Sequence, residues 1–164
     1  MIKLEKPDID VESIITDCTA NLTKQPILTH INASKTTIVS KSEKYNELAE
    51  KGQLGTLETH TMIEGGATKD DMVWLYDNKF VADGGRKYYD KIKAIPKYSK
   101  CPFCGVGIVS TLDHYLPKTK YPTYALTPVN LIACCADCNK NKKSEISETR
   151  NNESVSYTHL RAHE

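Results

Sequence analysis

Apolar positions recur at helical spacing through most of the first hundred residues, and as short β-branched runs after residue 106. Val11, Ile14, Ile15 and Cys18 fall on one face behind Asp10, a suitable cap, so a helix is predicted from Asp10 to about Leu22. Residues 1–9 read as an irregular polar start. Pro26 breaks the pattern, and Ile27 to Ile31 fits a helix or a strand equally well. Ser42 to Lys51 is predicted helical, capped by Ser42 and ended by Gly52. Residues 52–66 hold Gly52, Gly55, Gly65 and Gly66 and read as loop; Gly65-Gly66 lacks the lysine placement of a phosphate-binding loop. Thr68 to about Phe80 reads as a helix with acids in its first turn and Met72, Val73, Leu75, Tyr76 and Phe80 as its apolar face. Asp83-Gly84-Gly85 interrupts the chain, and Arg86 to Ile95 resumes a helix that Pro96 stops.

The second half changes period. Gly107 to Leu112 reads as a strand ended by Asp113-His114. Pro117, Pro122 and Pro128 exclude a helix from the segment that follows. Asn130 to Ala133 is a second short apolar run, and from Asp137 to about Thr149 lysines and glutamates favour a solvated helix. The order is strand, loop, strand, helix.

Cysteines change the picture most. Cys101/Cys104 and Cys135/Cys138 form two Cys-x-x-Cys pairs bracketing the strand–loop–strand stretch. Two such knuckles can close a tetrahedral Zn²⁺ site; with every position filled by protein, that zinc is structural. Cys134 offers an alternative ligand, but Cys135 repeats the spacing of the first pair. Six cysteines with this spacing argue for a metal site in a reducing, cytoplasmic setting. The 164 residues suffice for one domain with a modest core, and no apolar run reaches membrane-spanning length. A net charge of +1 does not announce nucleic acid, which favours a partner that helps hold a substrate.

Polar residues within the bracket supply candidate chemistry. His114 is a candidate general base, since the unperturbed pKa of histidine lies near neutral pH. Asp113 and Asn139 offer hard oxygen ligands suited to Mg²⁺ or Mn²⁺. Lys142, a turn beyond Asn139, shares its helix face and could hold a phosphate. Taken singly, each has a plain reading as turn, cap or solvated face. Elsewhere, His30 and His60 lack neighbours in sequence and read as ordinary surface or core histidines, and Lys97, Tyr98 and Lys100 read as a basic linker that could touch a phosphate backbone.

Three clusters carry a resemblance: Leu112-Asp113-His114-Tyr115-Leu116-Pro117, then Pro128-Val129-Asn130-Leu131-Ile132, then Cys135-Ala136-Asp137-Cys138-Asn139 with Lys142. This stretch resembles the HNH endonucleases in their zinc-containing, four-cysteine form, and is most similar to the HNH subunit of Septu-type and retron-associated anti-phage systems. The resemblance implies an α+β protein: a mostly helical docking or support region (1–96), then a zinc-stapled ββα-metal module (97–150). It implies metal-dependent phosphodiester hydrolysis, with DNA the expected substrate. His114 would activate water, Asp113 and Asn139 would hold the divalent ion, and Asn130 would orient the His114 loop without touching metal. It also implies an ATPase partner; the helical region could equally meet a second copy or the nuclease core. The rival expectations are a non-catalytic zinc ribbon that binds nucleic acid or protein, and an HNH nuclease acting on RNA. Residues 151–164 depart from the preceding pattern and resemble translated adapter read-through, so the natural chain is expected to be longer; His159 and His163 are set aside with that tail.

Overall fold

The computed structural model of the chain describes residues 2–142 and 155–157. Helix α1 (Val11–Thr19) starts where Asp10 accepts a hydrogen bond from the Ser13 backbone N–H at 2.8 Å, and it buries Val11, Ile14, Ile15 and Cys18. Helix α2 is longer than the sequence pattern implied. It runs unbroken over Ile27–Glu50, so Ser42 is an interior residue and not a cap. Its buried stripe is Ile27, Ile31, Ser34, Ile38, Ser42, Tyr45 and Ala49, spaced by three or four residues along one face. Two serines in that stripe disguise it as a polar interruption. Each is satisfied elsewhere: Ser34 Oγ accepts from Ala67 N–H at 3.0 Å, and Ser42 Oγ lies 2.6 Å from Thr127 Oγ1. Tertiary packing therefore outweighs the weak helix propensity of Thr36, Thr37, Ile38 and Val39.

Helix α3 (Lys69–Leu75) opens on a reciprocal capping box between Thr68 and Asp71 and continues as a π-helical turn over Tyr76–Phe80. Helix α4 (Arg86–Lys93) buries Tyr89 and Ile92. The start of the chain is not irregular: β1 (Ile2–Leu4) pairs in parallel with β4 (Val155–Tyr157). Strands β2 (Thr111–His114) and β3 (Leu131–Cys134) pair antiparallel, Thr111 opposite Cys134 and His114 opposite Leu131. β2 starts later than expected because residues 107–109 bond to the knuckle: Cys101 N–H donates to Gly107 O at 2.7 Å, and Val109 N–H to Ser99 O at 2.9 Å. Asp113 and His114 accordingly lie within the strand. Helix α5 (Ala136–Lys142) follows; the expected continuation to Thr149, and His159 and His163, lie outside the described residues.

The molecule is an α+β mixture: a helical N-terminal region, a small antiparallel pair of strands and a four-cysteine cluster. The helical region and the strand pair share their cores. One core gathers α1, α3, α4 and the first part of α2 around Leu112, Leu131 and Ala133. The other joins Tyr45 and Ala49 of α2 to Leu116, Tyr124, Val129 and Ile132.

The loop before α3 crosses α2 closely. A Cβ on Gly65 (φ +103°) would stand 2.4 Å from the Ala33 carbonyl oxygen, whereas one on Gly66 (φ +104°) would stand 3.8 Å from His30. Gly66→Ala is expected to cost only the left-handed backbone penalty, about 1–2 kcal/mol. Gly65→Ala adds a backbone clash and is expected to exceed it by roughly 1 kcal/mol or more. Urea unfolding of both variants reads the difference; equal losses would mean that the loop lifts from α2 without cost.

Candidate metal centre

The first knuckle is shaped by backbone hydrogen bonds. Gly105 N–H donates to Cys101 O at 2.8 Å, and Gly107 N–H donates to Cys104 Sγ at 3.3 Å. The second knuckle joins the residue after β3, Cys135, to Cys138 in the first turn of α5, whose N–H points at Cys135 Sγ from 3.5 Å. The four sulfurs of Cys101, Cys104, Cys135 and Cys138 lie within 4.8 Å of one another. Zinc–thiolate bonds of about 2.3 Å give a tetrahedron with edges of roughly 3.8 Å, so the cluster could hold Zn²⁺ with small adjustments. Electrostatics agree. Backbone N–H groups of Gly107 and Val106 pull the Cys104 thiol down to about 6, while burial and the facing sulfurs push Cys138 up. Four thiolates this close repel unless a cation sits among them. Cys134 is outside the cluster. It is the last residue of β3, fully buried opposite Thr111, and burial pushes its thiol up to about 12.

Toward the other end of the same strand pair, β2 presents two consecutive buried polar side chains. Asp113 is buried, which pushes its carboxyl up, and the Lys142 ammonium opposes that shift. Lys142 Nζ stands 2.6 Å from Asp113 Oδ2 and 3.1 Å from the His114 carbonyl oxygen. His114 Nε2 lies 2.9 Å from the Ala125 carbonyl oxygen. A carbonyl can only accept, so Nε2 carries the proton and Nδ1 is left with the lone pair. Burial lowers the imidazole to about 3, well below the near-neutral value expected of an unperturbed histidine, so it is neutral at pH 7 and a weaker base than a solvated one; Tyr76 packs against it at 4.6 Å between ring centroids.

Asn130, fully buried just before β3, has every amide position occupied: Oδ1 accepts from Tyr45 OH (2.8 Å) and Leu116 N–H (2.7 Å), and Nδ2 donates to Leu116 O (3.1 Å) and Tyr124 O (3.0 Å). No position remains for a metal. Asn139 is half-buried in α5, one turn before Lys142, and its side chain makes no hydrogen bond among the described residues. The structure thus joins Lys142 to the Asp113 carboxylate and to the His114 backbone carbonyl, while the imidazole is held separately by Ala125 and Tyr76, and Asn130 is bonded into the loop that carries Ala125.

Several contributors had no signal in the sequence. Tyr45 and Tyr76 come from helices distant in the chain. Lys118, paired with Asp77 at 2.7 Å, lies over the Tyr76 ring at 4.3 Å. His60 Nε2 accepts from the Thr123 N–H at 3.2 Å and lies 2.6 Å from its hydroxyl, clipping the turn that precedes Ala125. His30 pairs with Asp71 at 2.8 Å beneath the α3 cap. Both histidines have partners that only folding supplies.

Comparison with known proteins adds one relative. The chain is similar to protein ea31 of Escherichia phage lambda. The two are 30% identical over 155 residues, an alignment that takes in 89% of this chain and 52% of the relative. The chain therefore spans about half the length of the curated relative it matches. No protein-family model and no solved structure matches the chain. No helix among the described residues is long and apolar enough to cross a membrane.

The cluster geometry makes a sharp expectation about neighbouring cysteines. Cys134→Ala should leave one zinc per chain by elemental analysis, whereas Cys135→Ser should lose it and unfold, because binding energy at such a site is folding energy. Zinc retained in Cys135→Ser but lost in Cys134→Ala would reverse the assignment.

Proposed function

We propose that the chain is a metal-dependent endonuclease of the HNH type, hydrolysing phosphodiester bonds with DNA as its substrate. The observation that carries this reading is the setting of His114. Its Nε2–H is committed to the Ala125 carbonyl, so the neutral Nδ1 keeps the lone pair as a fixed proton acceptor, on a strand whose preceding residue is a buried carboxylate. In this reading His114 Nδ1 takes a proton from the attacking water. Asp113, a hard oxygen donor that already faces a cation in Lys142, would hold a divalent ion together with Asn139. Such an ion would supply positive charge to the scissile phosphate. Lys142 serves two states: it neutralises Asp113 when that ion is away, and engages a phosphate oxygen when it is bound. Asn130 holds the 116–124 loop, and through it the Ala125 carbonyl that sets the imidazole. The four cysteines hold zinc as a staple in a reducing, cytoplasmic environment.

Residues 1–96 form a support region in this reading, and residues 97–150 the nuclease module. The HNH resemblance of the cysteine-bracketed stretch further supports a role in anti-phage defence beside an ATPase subunit, with the helical surface available to that partner.

Nicking of supercoiled plasmid with Mg²⁺ or Mn²⁺ tests the chemistry. At equal zinc content, His114→Ala should lose about 10²- to 10⁴-fold in rate. Equal rates would remove His114 as the base. A wild-type chain that carries zinc yet nicks nothing would return the module to a binding ribbon.

The role of Lys142 is open to a separate measurement. In zinc-loaded protein without other divalent ions, Lys142→Met should lower unfolding free energy by about 1–3 kcal/mol, because the buried Asp113 carboxylate loses its counter-ion. Millimolar Mn²⁺ should restore part of that loss in the variant. No loss, or no recovery, would argue that the pair is incidental.

A further inference from the structure

Three of the large apolar residues most exposed on the described chain sit on the first zinc knuckle: Tyr98 at 90%, Val106 at 76% and Ile108 at 60%. They are held together. Lys100 bridges to Ile108, Lys100 Nζ donates to the Val106 carbonyl at 3.3 Å, and Val109 N–H donates to Ser99 O at 2.9 Å. Tyr98 is presented by an unusual backbone. Tyr98 (φ 58°) and Ser99 (φ 54°) are consecutive non-glycine residues in the left-handed region, a strained arrangement that persists only where its surroundings impose it. The chain that enters this tip carries charge of one sign, Lys93 being paired with Asp90 and the nearest acid of the other knuckle being Asp137. Lys91, Lys93, Lys97 and Lys100 precede and enter the knuckle, and no acidic residue lies between Asp90 and Asp113 in the chain.

An apolar tip with a polar rim is also the anatomy of a protein-docking patch, but the all-lysine charge of the chain entering it favours a polyanion. The tip matches the combination used to hold unpaired nucleic-acid strands, in which cations follow the phosphates and an exposed aromatic ring stacks on a base. The knuckle is also rigid when its cysteines hold a metal, so the ring is offered without loss of side-chain-supporting backbone freedom.

We propose that the first knuckle is a strand-holding surface: Lys97 and Lys100 contact phosphates of a nucleic-acid strand, and Tyr98 stacks on an unpaired base, with Val106 and Ile108 beside it. This rests on the nuclease reading and adds to it a place where substrate is held away from His114. It also answers how a chain of net charge +1 can hold a polyanion.

The test uses the full zinc-loaded chain carrying His114→Ala, so that nothing is cut, and a labelled 20-nucleotide oligothymidylate followed by fluorescence anisotropy. Adding Tyr98→Ala should weaken binding about tenfold with the salt dependence unchanged. Adding Lys97→Gln and Lys100→Gln should flatten the slope of log K against log salt by about 1.4, two phosphate contacts on a single strand. Zinc content equal to the parent shows that the knuckle is intact. On a 20-base-pair duplex the Tyr98→Ala effect should fall below about twofold, since its bases are already stacked. Unchanged oligothymidylate binding in both variants, while the His114-intact chain still nicks plasmid, overturns this inference and leaves the nuclease reading standing. An equal loss on duplex and single strand overturns the stacking assignment. A His114→Ala parent that binds no oligothymidylate, together with a His114-intact chain that nicks nothing, overturns both readings. Unchanged binding accompanied by loss of chain self-association in Tyr98→Ala assigns the knuckle to protein docking instead.

Discussion

Much of this structure turns on one buried amide. Asn130 sits between α2 and the loop that follows β2, and its side chain is fully committed to Tyr45, Leu116 and Tyr124. A buried polar network of this kind stabilises only when complete; each partner removed strands a donor or acceptor at a cost on the order of 1–3 kcal/mol. Tyr124 is adjacent to Ala125, whose carbonyl fixes the tautomer of His114. The chain of dependence therefore runs from a tyrosine on a long helix, through one amide, to the lone pair of an imidazole. This explains why α2 must be one unbroken helix. Interrupted at Ser42, it would not deliver Tyr45 in register with Ile31 and Ile38 below it.

The cysteine cluster plays the matching part at the other end of the same strands. β2 and β3 pair over only four residues each, too little for an isolated two-stranded ribbon to persist in water. Ser110 N–H donates to Cys134 O at 3.0 Å at the end next to Cys135, and Tyr115 N–H donates to Asn130 O at 2.8 Å at the other. The ladder is thus clamped by the cysteine knuckles on one side and the amide network on the other, with both faces packed on shared cores. Asp113 and His114 lie at the amide end of that ladder. A short, doubly clamped strand is a suitable platform for groups that must stay in place while buried and polar, a state that ordinary loops do not sustain.

How far the sequence disclosed this depends on range. Contacts set by local spacing were legible: Asp10 before α1, the acids opening α3, the paired cysteines, and the strand, loop, strand and helix order. The Cys-x-x-Cys repeat distinguished Cys135 from Cys134 on spacing alone, and the cluster geometry agrees. Long-range partners were not legible. Ser34 and Ser42 hid the stripe of α2 because a hydroxyl can be buried once a partner is supplied by residues 67 and 127. His30 and His60 looked solitary because Asp71 and Thr123 are remote in the chain. β1 escaped notice because three residues carry no period, and its partner lies at the opposite end of the chain. The Asp113–Lys142 pair illustrates a different limit. Spacing put Lys142 on the face of Asn139, yet only the crossing of α5 over β2 shows that its ammonium meets the carboxylate first.

Net charge is the least informative of the sequence quantities here, and the fold shows why. Cations of the helical half are largely neutralised at home: Lys35 by Glu12, Lys44 by Glu47, Lys79 by Asp83, Arg86 by Asp90 and Lys87 by Asp17. Such exposed pairs add little stability, but they cancel each other's field at a distance. Charge that is not cancelled locally is what an approaching polyanion senses within the screening length of about 8 Å. On the knuckle, Lys97 and Lys100 are exposed within a stretch of chain that has no acid to answer them. A chain that is nearly neutral in sum can therefore be basic along the segment that leads into its first cysteine knuckle.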